Sequence, residues 1–178
     1  MSWGHDLSEL ERKAASAKLK ILIWGPGKSP CDAGRMENRR YRKRLKIRDT
    51  LRKAYPNSEV YFSEDEALRK HTRHLGSLML EEEMHTRTAD CILALPISRD
   101  SELEIDHFWT KPEIARKLYA FVPKRFSRAN GLVRVVYKEL KSVYGYTDAE
   151  FSDCSLATVK CVQIVRSICV ARLLALDS

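Results

Sequence analysis

Four short apolar runs recur along this chain, at residues 19–24, 58–62, 90–97 and 118–123, each followed by a turn-forming stretch and most by a charged segment of helical periodicity. Unbroken apolar runs of this length fit strands buried on both faces, and strands alternating with helices build a parallel sheet with helices on either side. The chain is therefore expected to be α/β, a single Rossmann-like domain with a mainly parallel sheet of about four or five strands flanked by helices. Its 178 residues suit one domain with a substantial core. Residues 1–18 are expected to form an N-terminal helix or arm, and residues 19–178 the α/β domain.

The intervening segments fill in the order. Residues 35–53 carry Tyr41, Leu45, Ile47 and Leu51 at mostly helical spacing, and Pro56-Asn57 ends them. Residues 66–87 read as one helix or as two broken near Gly76. After the loop Ser98-Arg99-Asp100-Ser101 comes a helix with Leu103, Ile105, Phe108 and Trp109 on its apolar side. Residues 132–144 are expected to be helical, with a short strand near Tyr146, and a last helix from about Ser155 is apolar on most sides.

With 44% apolar residues the chain is too hydrophobic to remain disordered. No apolar run approaches the ~18–20 residues that span a bilayer, and residues 1–20 lack a signal-peptide pattern, so a cytoplasmic protein with no membrane partner is expected. The five cysteines form no CxxC motif and are expected to be buried free thiols. His71 and His74 lack further ligands at matching spacing, so neither a metal site nor a cofactor is expected.

The net charge is +8, and it is concentrated. Residues 35–53 hold ten basic side chains against Glu37 and Asp49, which equals the excess of the whole chain. Arg40, Lys43, Arg44 and Arg48 form a partial cluster at i+3/i+4 spacing that could take phosphate oxygens. This segment could serve a ligand phosphate, a protein partner or second copy, or nucleic acid. No helix-turn-helix, zinc module or ribonucleoprotein motif accompanies it.

Parallel α/β sheets bind ligands at the carboxyl ends of their strands. That rule gathers Gly25 to Ser29, Ser63 to Asp65, Ile97 to Glu104 and Pro123 to Phe126. Asp90 starts its strand, roughly 23 Å from that edge, and is expected to be structural. Gly25-Pro26-Gly27-Lys28-Ser29 is not a nucleoside-triphosphatase loop, since Leu22 stands where such a loop needs glycine. It could still bring a ligand close to the backbone, with Lys28 neutralising phosphate. In Ser98 to Phe108 carboxylates gather at a helix start; a capping box from Ser101 to Glu104 is the alternative use of the same residues. The triplet Glu81-Glu82-Glu83 reads as a solvated face.

The ordered set Ile23-Trp24-Gly25-Pro26-Gly27, residues 41–51, Val60-Tyr61-Phe62-Ser63-Glu64, and residues 89–98 followed by Glu104 resembles the nucleoside 2-deoxyribosyltransferase-like and TIR-like group of Rossmannoid proteins. The resemblance covers residues 19–126. It implies an N-glycosidase acting on a nucleoside, nucleotide or NAD, with an antiphage or toxin role, and Glu104 as the catalytic glutamate. Arg99 and Asp100 stand where the group commonly has proline and glycine. Glu64 is the second catalytic candidate, to help the base depart. Trp24, Gly25, Gly27, Lys28, Arg44, Ser98, Asp100 and Ser101 are the ligand-binding candidates. The alternatives are a non-catalytic nucleotide sensor or protein-interaction module of the same fold, or a nucleic-acid-binding protein.

Overall fold

A computed structural model describes residues 3–27, 35–95, 99–124, 138, 140, 142–147, 150 and 154–176. In chain order the elements are α1 (Trp3–Ala15), β1 (Lys20–Trp24), α2 (Arg35–Ala54), β2 (Glu59–Phe62), α3 (Glu66–Arg69), α4 (Leu78–Thr88), β3 (Cys91–Ala94), α5 (Arg99–Phe108), α6 (Pro112–Ala115), β4 (Leu118–Pro123), β5 (Val143–Tyr146) and α7 (Cys154–Leu176). A 3-10 turn, Arg73–Leu75, lies between α3 and α4. It closes on Gly76, whose φ of 66° is a left-handed conformation that glycine adopts without penalty. The expected break near Gly76 is there for that reason.

The five strands form one all-parallel sheet in the order β2-β1-β3-β4-β5. This is the Rossmann-like α/β architecture that the apolar runs imply. Side chains alternate across it, so each strand feeds two cores. Ile21, Ile23, Val60, Phe62, Leu93 and Phe121 pack with residues of α1, α2 and α7. Leu22, Trp24, Ile92, Ala94, Leu118 and Ala120 pack with Leu68 of α3, Ile105 and Phe108 of α5, and Ile114 of α6. Burial on both faces explains why β1 and β3 read as continuous apolar runs instead of alternating ones.

The first helix belongs to the same core: Ala14 is buried with Leu19 and residues of α7. An Arg166–Glu11 ion pair joins α7 to α1 at the surface. Asp90 sits at the start of β3 and works structurally. Its Oδ2 accepts the Lys20 backbone N–H at 2.7 Å and its Oδ1 meets Arg172 Nη2 at 2.6 Å, tying β1, β3 and α7 at the amino edge. Cys91, Cys161 and Cys169 are buried free thiols, and burial raises the Cys91 pKa. The other two cysteine side chains lie outside the described residues.

One expected element is corrected. The expected short strand near Tyr146 is present as β5 (Val143–Tyr146), in parallel register with β4 from Ala120↔Val143 to Pro123↔Tyr146, so a helix cannot extend to Tyr144 as expected, although Lys138 is helical. Val143, Tyr144 and Tyr146 are β-branched or aromatic, and edge pairing with β4 fixes these positions as strand. Residues 132–137 lie outside the described set. No helix among the described residues is long and apolar enough to cross a membrane.

Replacing Asp90 with alanine strands the Lys20 N–H and frees Arg172. It should lower the unfolding free energy by about 1–3 kcal/mol, read from the urea midpoint at unchanged m-value.

Candidate functional site

In the 2-1-3-4-5 strand order the chain leaves β1 toward β2 on one side and later returns to β3 on the other. The carboxyl ends of β1 and β3 thus flank the crevice in which such sheets bind ligands. The loop after β1 and the start of α5 both open there. So does the start of α4, which runs back to the beginning of β3.

Arg44 of α2 dominates this edge. It is wholly buried, and all five of its N–H groups are used inside the protein. Nε and Nη2 donate to the Ile23 carbonyl at 3.1 and 2.6 Å, and Nη1 to the Pro26 carbonyl at 3.3 Å. Nη1 and Nη2 also grip Glu64 as a fork, at 2.6 and 2.8 Å. Arg44 therefore does not have the free donors that its expected role as a phosphate ligand requires. It shapes the loop and aims Glu64, whose side chain is still 42% exposed.

The arginine stripe continues down α2. Arg48 Nη1 reaches Asp65 Oδ1 at 3.5 Å, and Asp65 Oδ2 accepts the Phe62 N–H at 2.9 Å. The guanidinium carbons of Arg44 and Arg48 lie 4.0 and 4.1 Å from the Phe62 ring centroid. Arg52 Nη2 donates to the Val60 carbonyl at 2.7 Å, which occupies a backbone acceptor on edge strand β2. Positions 44, 48 and 52 share one helix face, and that face is turned onto β2. Of the remaining side chains in this helix, Arg42, Lys46 and Lys53 are exposed, together with Asp49.

Gly25 sits in a tight space. A Cβ there would come within 3.3 Å of both Arg44 Cδ and Leu95 Cβ. Gly27 is exposed, and a Cβ would meet nothing closer than Glu64 Oε1 at 3.9 Å, so its neighbour is the clamped carboxylate. Trp24 is fully buried and stacks on Phe108, with centroids 5.7 Å apart. It is a core residue and does not present a face to a base. Lys28 and Ser98 lie outside the described residues. Asp100 and Ser101 fall within α5, but their side chains also lie outside them. Since α5 begins at Arg99, Ser101 is inside the first turn, which removes the Ser101–Glu104 capping box. Glu104 is half-buried in the turn that follows.

The residue that the sequence did not single out is Glu82. It lies in the first turns of α4. Its Oε2 is shut off from solvent and has no hydrogen-bond partner. Burial raises its pKa to about 7; Arg69 and Arg44 oppose the rise, while Glu64 and Glu81 reinforce it. Both cations are committed elsewhere, Arg44 to Glu64 and Arg69 to Glu81 at 3.5 Å. The edge therefore holds a clamped carboxylate, Glu64, electrostatically coupled to a carboxyl whose raised pKa leaves it partly protonated near neutral pH.

Helix α4 is also inside out. It buries Glu81, His85 and Thr86 and exposes Leu78, Met79, Leu80 and Met84. His85 Nε2 pairs with the Thr72 hydroxyl at 2.9 Å, and burial lowers its pKa. A separate groove of about 660 Å³ lies over β4 and β5, lined by Tyr119, Tyr144, Lys160 and Leu174 among others, away from the crevice between β1 and β3. Among the described residues no three His, Cys, Asp or Glu side chains approach closely enough to hold a metal ion.

The fold and this edge define a Rossmann-like α/β protein with a carboxyl-rich crevice. No protein-family model matches the chain, and a search of curated proteins finds no relative of it.

Two consequences are measurable. Arg44→Met should lower stability by about 3 kcal/mol in chemical denaturation, and Arg44→Lys should recover little, because an ammonium cannot reproduce the fork. The Glu82 pKa is higher folded than unfolded, so its contribution to stability is fully present below about pH 4.5 and is lost as pH rises through 7. Glu82→Gln should therefore stabilise the protein at pH 8, by up to roughly 3 kcal/mol, and the difference should vanish near pH 4.5. His85 acts in the opposite sense. Its folded pKa is lowered, so its contribution is present above pH 6.5 and lost as pH falls further.

Proposed function

We propose that the protein binds a nucleoside or nucleotide at the carboxyl edge between β1 and β3 and hydrolyses its N-glycosidic bond. The observation that carries this reading is a pair of carboxyl groups in unlike settings at that edge, Glu64 gripped by the Arg44 fork and Glu82 buried with one unpartnered oxygen and its pKa raised by burial to about 7. Cleaving an N-glycosidic bond builds positive charge on the sugar and negative charge on the leaving base. A carboxylate and a carboxylic acid at one site answer both demands. Glu104, on the helix that starts beside the crevice, is the proposed group at C1′, where it stabilises the sugar cation or attacks it. Glu64 orients the sugar or base from the Arg44 clamp. The resemblance to the deoxyribosyltransferase-like and TIR-like group points the same way, and with it an effector role in defence.

A second reading has its own observation. The exposed row Leu78, Met79, Leu80 and Met84 at the mouth of the crevice favours a protein-interaction module whose partner contacts α4. For nucleic-acid binding, Arg44 and Arg48 are turned onto the sheet, which leaves Arg42, Lys46, Arg52 and Lys53 as the exposed basic side chains among those described in α2.

Purified protein incubated with nucleosides, nucleotides and NAD should release free base, detected chromatographically. Glu104→Gln should reduce release by at least about a hundredfold. Undiminished release would remove Glu104 from catalysis. Absence of release from every substrate, with binding retained in calorimetry, would favour the non-catalytic reading.

A further inference from the structure

Resting on that N-glycosidase reading, we propose that Glu82 is the proton donor to the departing base, and that the site takes nucleosides or nucleotides with a neutral purine or pyrimidine base in preference to NAD. Placement comes first. Helix α4 runs back toward the start of β3, so its first turns stand at the carboxyl edge, where Glu64 is clamped. The Glu82 Oε2 there is closed to solvent and unpartnered, which is costly for an anion and natural for an acid awaiting an acceptor. Its charged neighbours are Arg69 from α3, Arg44 from α2, Glu64 from the end of β2 and Glu81 on its own helix. Both arginines are already matched by the other two carboxylates, which leaves Glu82 the third acid against two cations.

The chemistry then selects the substrate. When the C1′–N bond of a nucleoside breaks, its electron pair goes to the base, and a neutral base leaves readily only if a ring nitrogen gains a proton. Glu82 gives that proton and becomes a carboxylate. Water adds to C1′, and the proton it loses returns to Glu82, so the net reaction is hydrolysis and the acid is restored. Nicotinamide in NAD is already a cation at that nitrogen. The electron pair neutralises it, and it leaves without a proton. A buried acid serves the first kind of substrate and adds nothing for the second.

The test compares Glu82→Gln with the wild-type protein on three probes: adenosine, NAD and 4-nitrophenyl riboside, whose phenolate departs unprotonated. On adenosine the wild type should lose kcat/KM as pH rises past 7. The variant should be slower by at least about a hundredfold at pH 6.5 and lack that alkaline limb, while its cleavage of the nitrophenyl riboside stays within about threefold. Thermal melts should show the variant folded. Equal rates on adenosine, persistence of the alkaline limb, or an equal loss on all probes would each overturn the donor role while leaving N-glycosidase activity standing. Nicotinamide release from NAD that outpaces adenine release in the wild type would overturn the substrate preference. If the wild type cleaves none of the three and releases no base from any of the purine and pyrimidine nucleosides and nucleotides, the N-glycosidase reading itself falls, and this proposal with it.

Discussion

A single guanidinium organises the carboxyl edge of this sheet. Arg44 is a charge removed from water, and such a group is tolerated only when its donors are all engaged and a counter-ion is close. It meets both conditions with carbonyls at the end of β1 and with Glu64 after β2, and in doing so it fixes the path of the loop that leaves β1. Gly25 follows from the same constraint, since the aliphatic part of Arg44 and the side chain of Leu95 fill the space where a Cβ would stand. The orientation of Glu64 follows as well.

The charge density of α2 takes on a different meaning in this light. Half-exposed basic helices commonly meet polyanions, and a +8 segment invites that expectation. Here Arg44, Arg48 and Arg52 supply edge strand β2 with hydrogen bonds, an ion pair at Asp65 and contacts to the Phe62 ring. Their guanidinium groups do the work that an aliphatic stripe does in an ordinary amphipathic helix, while Ile47 and Leu51 carry the apolar share of the same helix. Among the described side chains of α2, Arg42, Lys46, Arg52 and Lys53 are exposed, with Asp49 among them, although Arg52 also spends a donor on β2.

These particulars show where the sequence is transparent. β1 and β3 are legible because burial on both faces leaves an unbroken apolar run, and the α3–α4 break is legible because Gly76 alone suits the left-handed turn. Asp90 is legible by position, since a residue opening a strand cannot reach the other end of the sheet. The inward turn of the arginines is not legible. Their partners are backbone carbonyls, which every residue owns, and Glu64, twenty positions away. The start of β5 is hidden for a similar reason: a strand near Tyr146 is legible, but pairing with β4 decides that it begins at Val143, whereas the upstream spacing speaks only for local helix. Trp24 could be a platform or a core ring on sequence grounds, and only Phe108 across the second core decides it.

The triplet at 81–83 shows the same limit most sharply, and it explains the chemistry of the edge. Three consecutive glutamates look like one solvated patch, but successive helical residues point about 100° apart and enter three environments. Glu81 is buried beside Arg69. Glu83 faces Lys111 and Arg87, whose hydrogen bonds hold its pKa below the usual range. Glu82, between them, meets neither a free cation nor water at one oxygen, and its pKa rises to about 7. A helix that turned its leucines and methionines inward would have placed these acids in solvent, where all three would ionise alike. By burying Glu81, His85 and Thr86 instead, α4 gives up apolar contact and gains an acid that exchanges its proton near neutral pH. Departures of this kind, in which a local rule is broken with a chemical return, are where a site is expected to be.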